Sequence, residues 1–372
     1  MAAASTSGPV VVYGASGFTG KLIAAELCSR GADYTLAGRS QEKLEAVAAS
    51  LPTPPPVAAV SLDDASGLRS LLEPAAAVIA CAGPFTLHGR PVIEAAAATG
   101  TNYLDTTGEQ PFINDSFEVH DAAATDSGAA LASGMGFDYA PGDMLCALTS
   151  AGLGPLSELT IAYAVRGFGP TRGTALSALE MMKGGDVEWR DGAHRKAPRY
   201  VGEGEFDFPS PLGSKRVGRY PSGETITVPR HVDTARVRSL IDLRALMGVQ
   251  LGPLAAPAMT LSGLAMTGPV RRGVGKLIAR QPEGPSEKAR KAVRFTLVCD
   301  VVAVDGRRRR GVLRGSDIYG ITAAIMAEGA LRMAAPDYDR SGALAPSEAF
   351  EPEAFLAALE PFGISYEIED PA

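Results

Sequence analysis

Cysteine and histidine are scarce in this chain of 372 residues, and the few present are scattered. The four cysteines, Cys28, Cys81, Cys146 and Cys299, stand far apart without a Cys-x-x-Cys pair, and four histidines are too few to complete ligand sets around them. A structural zinc site and a disulfide scaffold are therefore not expected, and no metal is assigned. Positive charge is also short: 35 Lys and Arg against 42 Asp and Glu leave a net charge of −7. A protein built for nucleic acid needs a basic face to neutralise phosphates, so nucleic acid is not an expected partner. Residues 1–8 carry no basic stretch ahead of the first apolar segment, which speaks against a secretory signal and for a cytoplasmic location. What is present is a folded chain: 46% of residues are hydrophobic, 21% are charged, and mean hydropathy is +0.06. Glycine (42) and proline (27) stay below the level of a low-complexity chain. At about 150 residues per domain the length predicts two or three domains.

The first informative segment is a β-branched run, Pro9 to Tyr13, leading into Gly14-Ala15-Ser16-Gly17-Phe18-Thr19-Gly20 and then the helical Lys21 to Leu27. Strand, glycine turn and helix in that order build a dinucleotide site. One glycine permits the turn, one lets backbone N–H groups approach a pyrophosphate, and one lets the helix pack on the strand. The helix start then meets the phosphates with the positive end of its dipole. The second strand, Tyr34 to Ala37, ends at Gly38, Arg39 and Ser40, where NAD-preferring enzymes place a carboxylate for the ribose. A guanidinium at Arg39, with Lys43 one helical turn on, suits a 2′-phosphate, so the expected cofactor is NADP. Leu62 and Asp63, after a third strand at Val57 to Val60, stand where adenine contacts are expected.

Strands at 76–82, 101–105 and 129–133 alternate with helices near 64–72, 91–98 and 112–125, which predicts a parallel, doubly wound sheet. Ligands bind at the carboxyl ends of such strands. Those ends are Cys81-Ala82-Gly83-Pro84-Phe85, Asp105 to Glu109, and Gly134 to Asp138.

These segments, together with Ala37-Gly-Arg39, Tyr103-Leu-Asp-Thr-Thr-Gly-Glu109 and Gly136-Phe-Asp-Tyr-Ala-Pro-Gly-Asp143, resemble the saccharopine dehydrogenase-like oxidoreductases. Within that family they resemble the bacterial trans-acting enoyl reductases. The resemblance is specific over about the first 145 residues and returns weakly at 173–179, 315–324 and 344–346. It implies a Rossmann-type domain but leaves the chemistry open, because some members act on a C–N bond of an amino acid and others reduce a C=C bond of a polyketide or lipid intermediate.

The expected architecture is α/β: a Rossmann domain over 1–140, a mixed α+β substrate domain over 141–314, and a C-terminal part, 315–372, whose helix Tyr319 to Ala334 and tail pack back on the Rossmann domain. Within the second part, 196–229 reads as loop-rich, and Asp305-Gly306 reads as a hairpin turn between Val293–Val304 and Gly311–Arg314. The run Arg307 to Arg310 at that turn reads as a solvated tip. The stretch Ala245 to Val270 holds no charge and is followed by Arg271, Arg272, Lys276 and Arg280. Its prolines make a spanning helix a poor fit, leaving an apolar substrate chamber, a membrane-surface contact or plain core as readings.

For chemistry, no Tyr-x-x-x-Lys pair stands where a short-chain reductase would need it. The candidate acids at the strand ends are Tyr139, Glu109 and Asp138, while Ala82, Gly83, Pro84 and Phe85 shape the nicotinamide side. Three functions stay open: an NADPH-dependent enoyl-type reductase of an apolar small-molecule or carrier-bound substrate, a C–N oxidoreductase, and a non-catalytic NADP-binding sensor or scaffold. Self-association as a homodimer is left open with them.

Overall fold

The computed structural model describes residues 7–181, 186–198, 202–244 and 268–369. They divide into two compact units, Met1–Ala140 with Tyr319–Glu351, and Pro141–Ile318 with Pro352–Ala372.

The first unit is a seven-stranded sheet. Its strands are β1 (Val10–Tyr13), β2 (Tyr34–Gly38), β3 (Val57–Ala59), β4 (Ala77–Ala80), β5 (Asn102–Asp105), β6 (Ala130–Ala132) and, much later in the chain, β15 (Gly342–Ala343). Every pairing in it is parallel, in the order β15-β6-β5-β4-β1-β2-β3. Central strands of such a sheet are covered on both faces, so they read as unbroken apolar runs: Val10–Tyr13 and Ala77–Ala80 are buried throughout. The chain steps from β1 outward through β2 and β3, then crosses back to β4 on the other side of β1. The crevice opens at that reversal, at the carboxyl ends of β1 and β4.

The helix Ile318–Met333 belongs to this unit from Tyr319 onward. It is apolar on nearly all sides, as a buried helix must be. Gly329 lets it approach β5, since a Cβ there would lie 2.8 Å from Leu104 Cδ2. Asn102 Nδ2 donates to its Met333 carbonyl at 2.8 Å, and Glu328 pairs with Arg30.

The second unit carries a nine-stranded mixed sheet. Its strands are β7 (Leu156–Arg166), β8 (Val187–Arg190), β9 (Ala193–Lys196), β10 (Gly202–Phe208), β11 (Gly213–Arg219), β12 (Arg236–Asp242), β13 (Arg294–Ala303), β14 (Arg308–Ser316) and β16 (Ser365–Glu369). β12 and β7 run parallel while the other pairings are antiparallel, and Ala162, Phe208, Val217, Leu240, Val298 and Val312 form a core on it.

Three expectations need correction. The stretch 196–229 is not loop-rich: it holds β10, β11 and the start of the helix Glu224–His231. The glycines and charges that suggest a loop lie on half-exposed strands, where a polar solvent face is normal for antiparallel pairs. The tail after 351 does not go with the Rossmann unit, because β16 pairs with β14 from Arg310↔Glu369 to Arg314↔Ser365. The arginine run is not simply solvated: Arg310 is forked on Asp300, Arg307 is paired with Asp305, and Arg309 donates to the Ala151 carbonyl. The hairpin itself forms, with Gly306 at φ +92°.

Most of the uncharged stretch, residues 245–267, lies outside the described residues. Among the described residues no helix is long and apolar enough to cross a membrane.

Candidate cofactor and active site

The glycine turn is built by close approach. Gly14 has φ +88°, and a Cβ on it would lie 3.0 Å from the Ala82 nitrogen at the end of β4. A Cβ on Gly20 would come within 2.5 Å of the Gly14 carbonyl oxygen, so the helix Phe18–Ser29 seats directly on the turn. Gly17 differs: among the described residues the only neighbour its Cβ would meet within 4 Å is the Gly14 oxygen at 3.3 Å. Gly17 is also the N-cap of that helix, and having no side chain it leaves the helix start without a side-chain cap. A glycine-lined cradle facing uncapped donors fits a pyrophosphate. Ser16, Phe18 and Thr19 are half-buried around it, with Phe18 edge-on to Tyr319 at 5.3 Å. Ala15 is fully buried and gives its N–H to Ala37, so it forms the turn rather than meeting a ligand.

At the end of β2, Arg39 is exposed, and among the described residues its guanidinium has no hydrogen bond or ion pair. Ser40 caps the next helix, accepting from the Lys43 N–H at 3.4 Å, which places the exposed Lys43 in the first turn beside Arg39. The buried Tyr13 phenol donates to the Val60 carbonyl at 2.9 Å. Burial raises its pKa, Arg39 opposes that rise and Asp63 adds to it, so all three groups share one neighbourhood. Two cations that pair with nothing among the described residues suit a 2′-phosphate. Arg39→Ala is expected to weaken NADPH by roughly tenfold or more and leave NADH nearly unchanged, because a charged hydrogen-bond donor contributes about 1.5–3 kcal/mol. Titration of both cofactors by fluorescence checks this.

The carboxyl ends of β4, β5 and β6 are tied into one network. Glu109, 1% exposed, accepts from the Phe85 N–H at 2.8 Å through Oε1, and from the Thr86 N–H and hydroxyl through Oε2. Asp105 Oδ1 accepts from both Thr107 N–H and Gly134 N–H at 2.9 Å, joining the loops after β5 and β6. Tyr139, also 1% exposed, donates its phenol to the Gly108 carbonyl at 2.8 Å. Gly83, Pro84 and Phe85 sit on this network through Glu109, with Phe85 packed against Phe112. Burial raises Asp105 to about 6, with the backbone N–H groups of Gly134 and Thr107 opposing the rise.

Two of the three expected acids are therefore struts. Glu109 accepts three bonds, and Tyr139 spends its proton on a carbonyl. Asp138, next to Tyr139 in the same turn, keeps part of its surface open. Tyr139→Phe is expected to loosen the 105–109 loop and cost about 1 kcal/mol of stability, as a single neutral hydrogen bond does. Urea denaturation of the variant measures this.

The second unit holds a buried polar group that the sequence reading missed. Tyr163 on β7 donates to Glu224 Oε1 in a short hydrogen bond, and both side chains are buried. Gly142 must be glycine against them, as a Cβ would lie 2.3 Å from Glu224 Oε1. Asp143, fully buried in the first turn of the helix Ala140–Ser150, lies 3.0 Å from His231 Nε2. The only sequence signal was Gly142-Asp143 at the end of the resembling segment, since Tyr163 and Glu224 are 61 residues apart.

Residues 10–131 match the family model of the saccharopine dehydrogenase NADP binding domain. The glycine cradle and the free cations at the end of β2 agree with it, and the cofactor is NADP. The first unit is thus similar to the NADP-binding domains of the saccharopine dehydrogenase-like proteins. The chain is similar to the trans-acting enoyl reductase of Mycobacterium ulcerans, 26% identical with 98% of each chain covered. It is also 37% identical, over 46% of its own length, to the putative trans-acting enoyl reductase Rv2449c of Mycobacterium tuberculosis, of which the match spans 44%. In fold it resembles apo saccharopine dehydrogenase (L-Glu forming) of Saccharomyces cerevisiae, with a TM-score of 0.64 at 14% identity, covering 98% of this chain and all of that one.

Proposed function

We propose that the protein is an NADPH-dependent reductase of an activated C=C bond in an apolar acyl or polyketide substrate presented on a carrier. The likeness in sequence to the M. ulcerans trans-acting enoyl reductase, which runs through 98% of each chain and so reaches beyond residues 10–131, carries this reading. NADPH, when bound, supplies the hydride for the β-carbon of the double bond.

The chain's own residues bind and orient. The cradle at Gly14, Gly17 and Gly20 seats the pyrophosphate, and Arg39 and Lys43 hold the 2′-phosphate. Glu109 fixes the Gly83–Phe85 loop, which would border the nicotinamide. Tyr139 and Asp105 fix the loops after β5 and β6, and Asp138 is the group that holds a water able to protonate the α-carbon. Holding these loops in one geometry lowers the barrier by orientation.

The experiment is loss of NADPH absorbance with a long-chain 2-enoyl thioester, against an amino acid plus an aldehyde as the C–N pair. Turnover of the thioester supports the reading. Turnover of the C–N pair alone, or cofactor binding without turnover of either, overturns it. Asp138→Asn should lower kcat about tenfold or more, in the range of general acid–base contributions, without changing NADPH affinity. An unchanged kcat removes Asp138 from the proton path.

A further inference from the structure

The helix Gly268–Ile278 follows the uncharged stretch and concentrates positive charge in a chain whose net charge is −7. Arg271, Arg272, Lys276 and Arg280 fall within ten positions, and the sequence from 245 to 282 contains no Asp or Glu. Among the described residues none of these four cations enters an ion pair or a hydrogen bond. Two apolar side chains on the same helix are left in the open: Val270 is 48% and Leu277 is 63% exposed. They stand seven residues apart, just under two turns, and so share one face. Gly275, on another side of the helix, packs on Leu179 of the helix Arg172–Met181, which leaves the Val270–Leu277 face outward.

We propose that this helix is a docking face for an anionic lipid surface. Exposed apolar side chains beside unpaired cations are the pattern of a helix lying in the headgroup region. The apolar face enters the acyl boundary while the cations meet phosphate. Charge complementarity favours a bilayer over an apolar protein partner, since four unneutralised cations would be costly to bury against an uncharged surface. The inference stands apart from the reductase reading and needs neither cofactor nor substrate. A reductase tethered in this way would meet long-chain substrates where they partition.

The test is co-sedimentation of the intact protein with phosphatidylcholine vesicles containing phosphatidylglycerol, against pure phosphatidylcholine. Binding to the anionic vesicles is expected, weakened about fivefold for each of Arg272→Gln and Lys276→Gln, and weakened again by Leu277→Ser. It should fall as salt approaches about 1 M, where charges are screened within about 3 Å. NADPH titration of the same variants should match the unaltered protein, showing that they remain folded. Equal binding to both vesicle types, indifference to the three substitutions, or retention on polyglutamate without vesicle binding would each overturn the lipid assignment.

Discussion

Gly17→Val is expected to weaken NADPH binding by more than roughly a hundredfold while the protein stays folded. The two halves of that outcome have different causes. A Cβ at Gly17 would lie 3.3 Å from the Gly14 oxygen, a tight contact that a small shift relieves, and the residue's φ of −79° suits any side chain. The isopropyl group would then fill the open side of the cradle and hold the pyrophosphate off the helix's first N–H groups. Two lost hydrogen bonds to a charged partner, at about 1.5–3 kcal/mol each, account for at least that factor. Gly20→Val makes the contrast, since its Cβ would collide with backbone at 2.5 and 2.7 Å and the turn itself would give way. Calorimetric titration with NADPH, paired with thermal melts, separates the two. Full-strength binding by Gly17→Val would remove the pyrophosphate from this turn.

The second large effect is on stability and lies at Glu224. Burial raises its carboxyl from the ordinary 4.5 to about 8, with Ser222 and Tyr163 opposing the rise and the nearby Asp143 adding to it. The folded state therefore holds a proton that the unfolded chain releases above 4.5. Its contribution to stability is fully present below that pH and is lost as pH rises through 8, at up to about 1.4 kcal/mol per unit. The whole excursion is on the order of 4–5 kcal/mol, a large share of a typical domain's stability. Glu224→Gln keeps an acceptor for the Tyr163 phenol and removes the ionisation. Its urea midpoint should lack the loss that runs between 4.5 and 8 in the unaltered protein and should exceed that of the unaltered protein at about pH 9. Parallel pH curves for the two proteins would mean that Glu224 is ionised throughout. Asp105, raised to about 6, adds a smaller loss of the same sign between its ordinary 3.8 and 6.

The sequence alone determined the nucleotide-binding architecture, because the features that set it are local. Apolar runs of strand length, a glycine turn next to a helix, and a guanidinium where a carboxylate would mark NAD are decided by neighbouring residues and backbone sterics. The cofactor and six strands of the parallel sheet follow from them, whereas the seventh, Gly342–Ala343, joins β6 from more than 200 residues away. Tertiary structure alone decided the roles of the polar residues at the strand ends. Tyr139 and Glu109 have the right chemistry for proton transfer, yet each is 1% exposed and bound to backbone groups 23 to 31 residues away, contacts with no local signature. The same holds for Glu224 against Tyr163, for the tail strand Ser365–Glu369 against Arg310–Arg314, and for strands in the polar 202–219 stretch. In each case the deciding quantity is burial or pairing across a long sequence separation, and residue type does not carry that information.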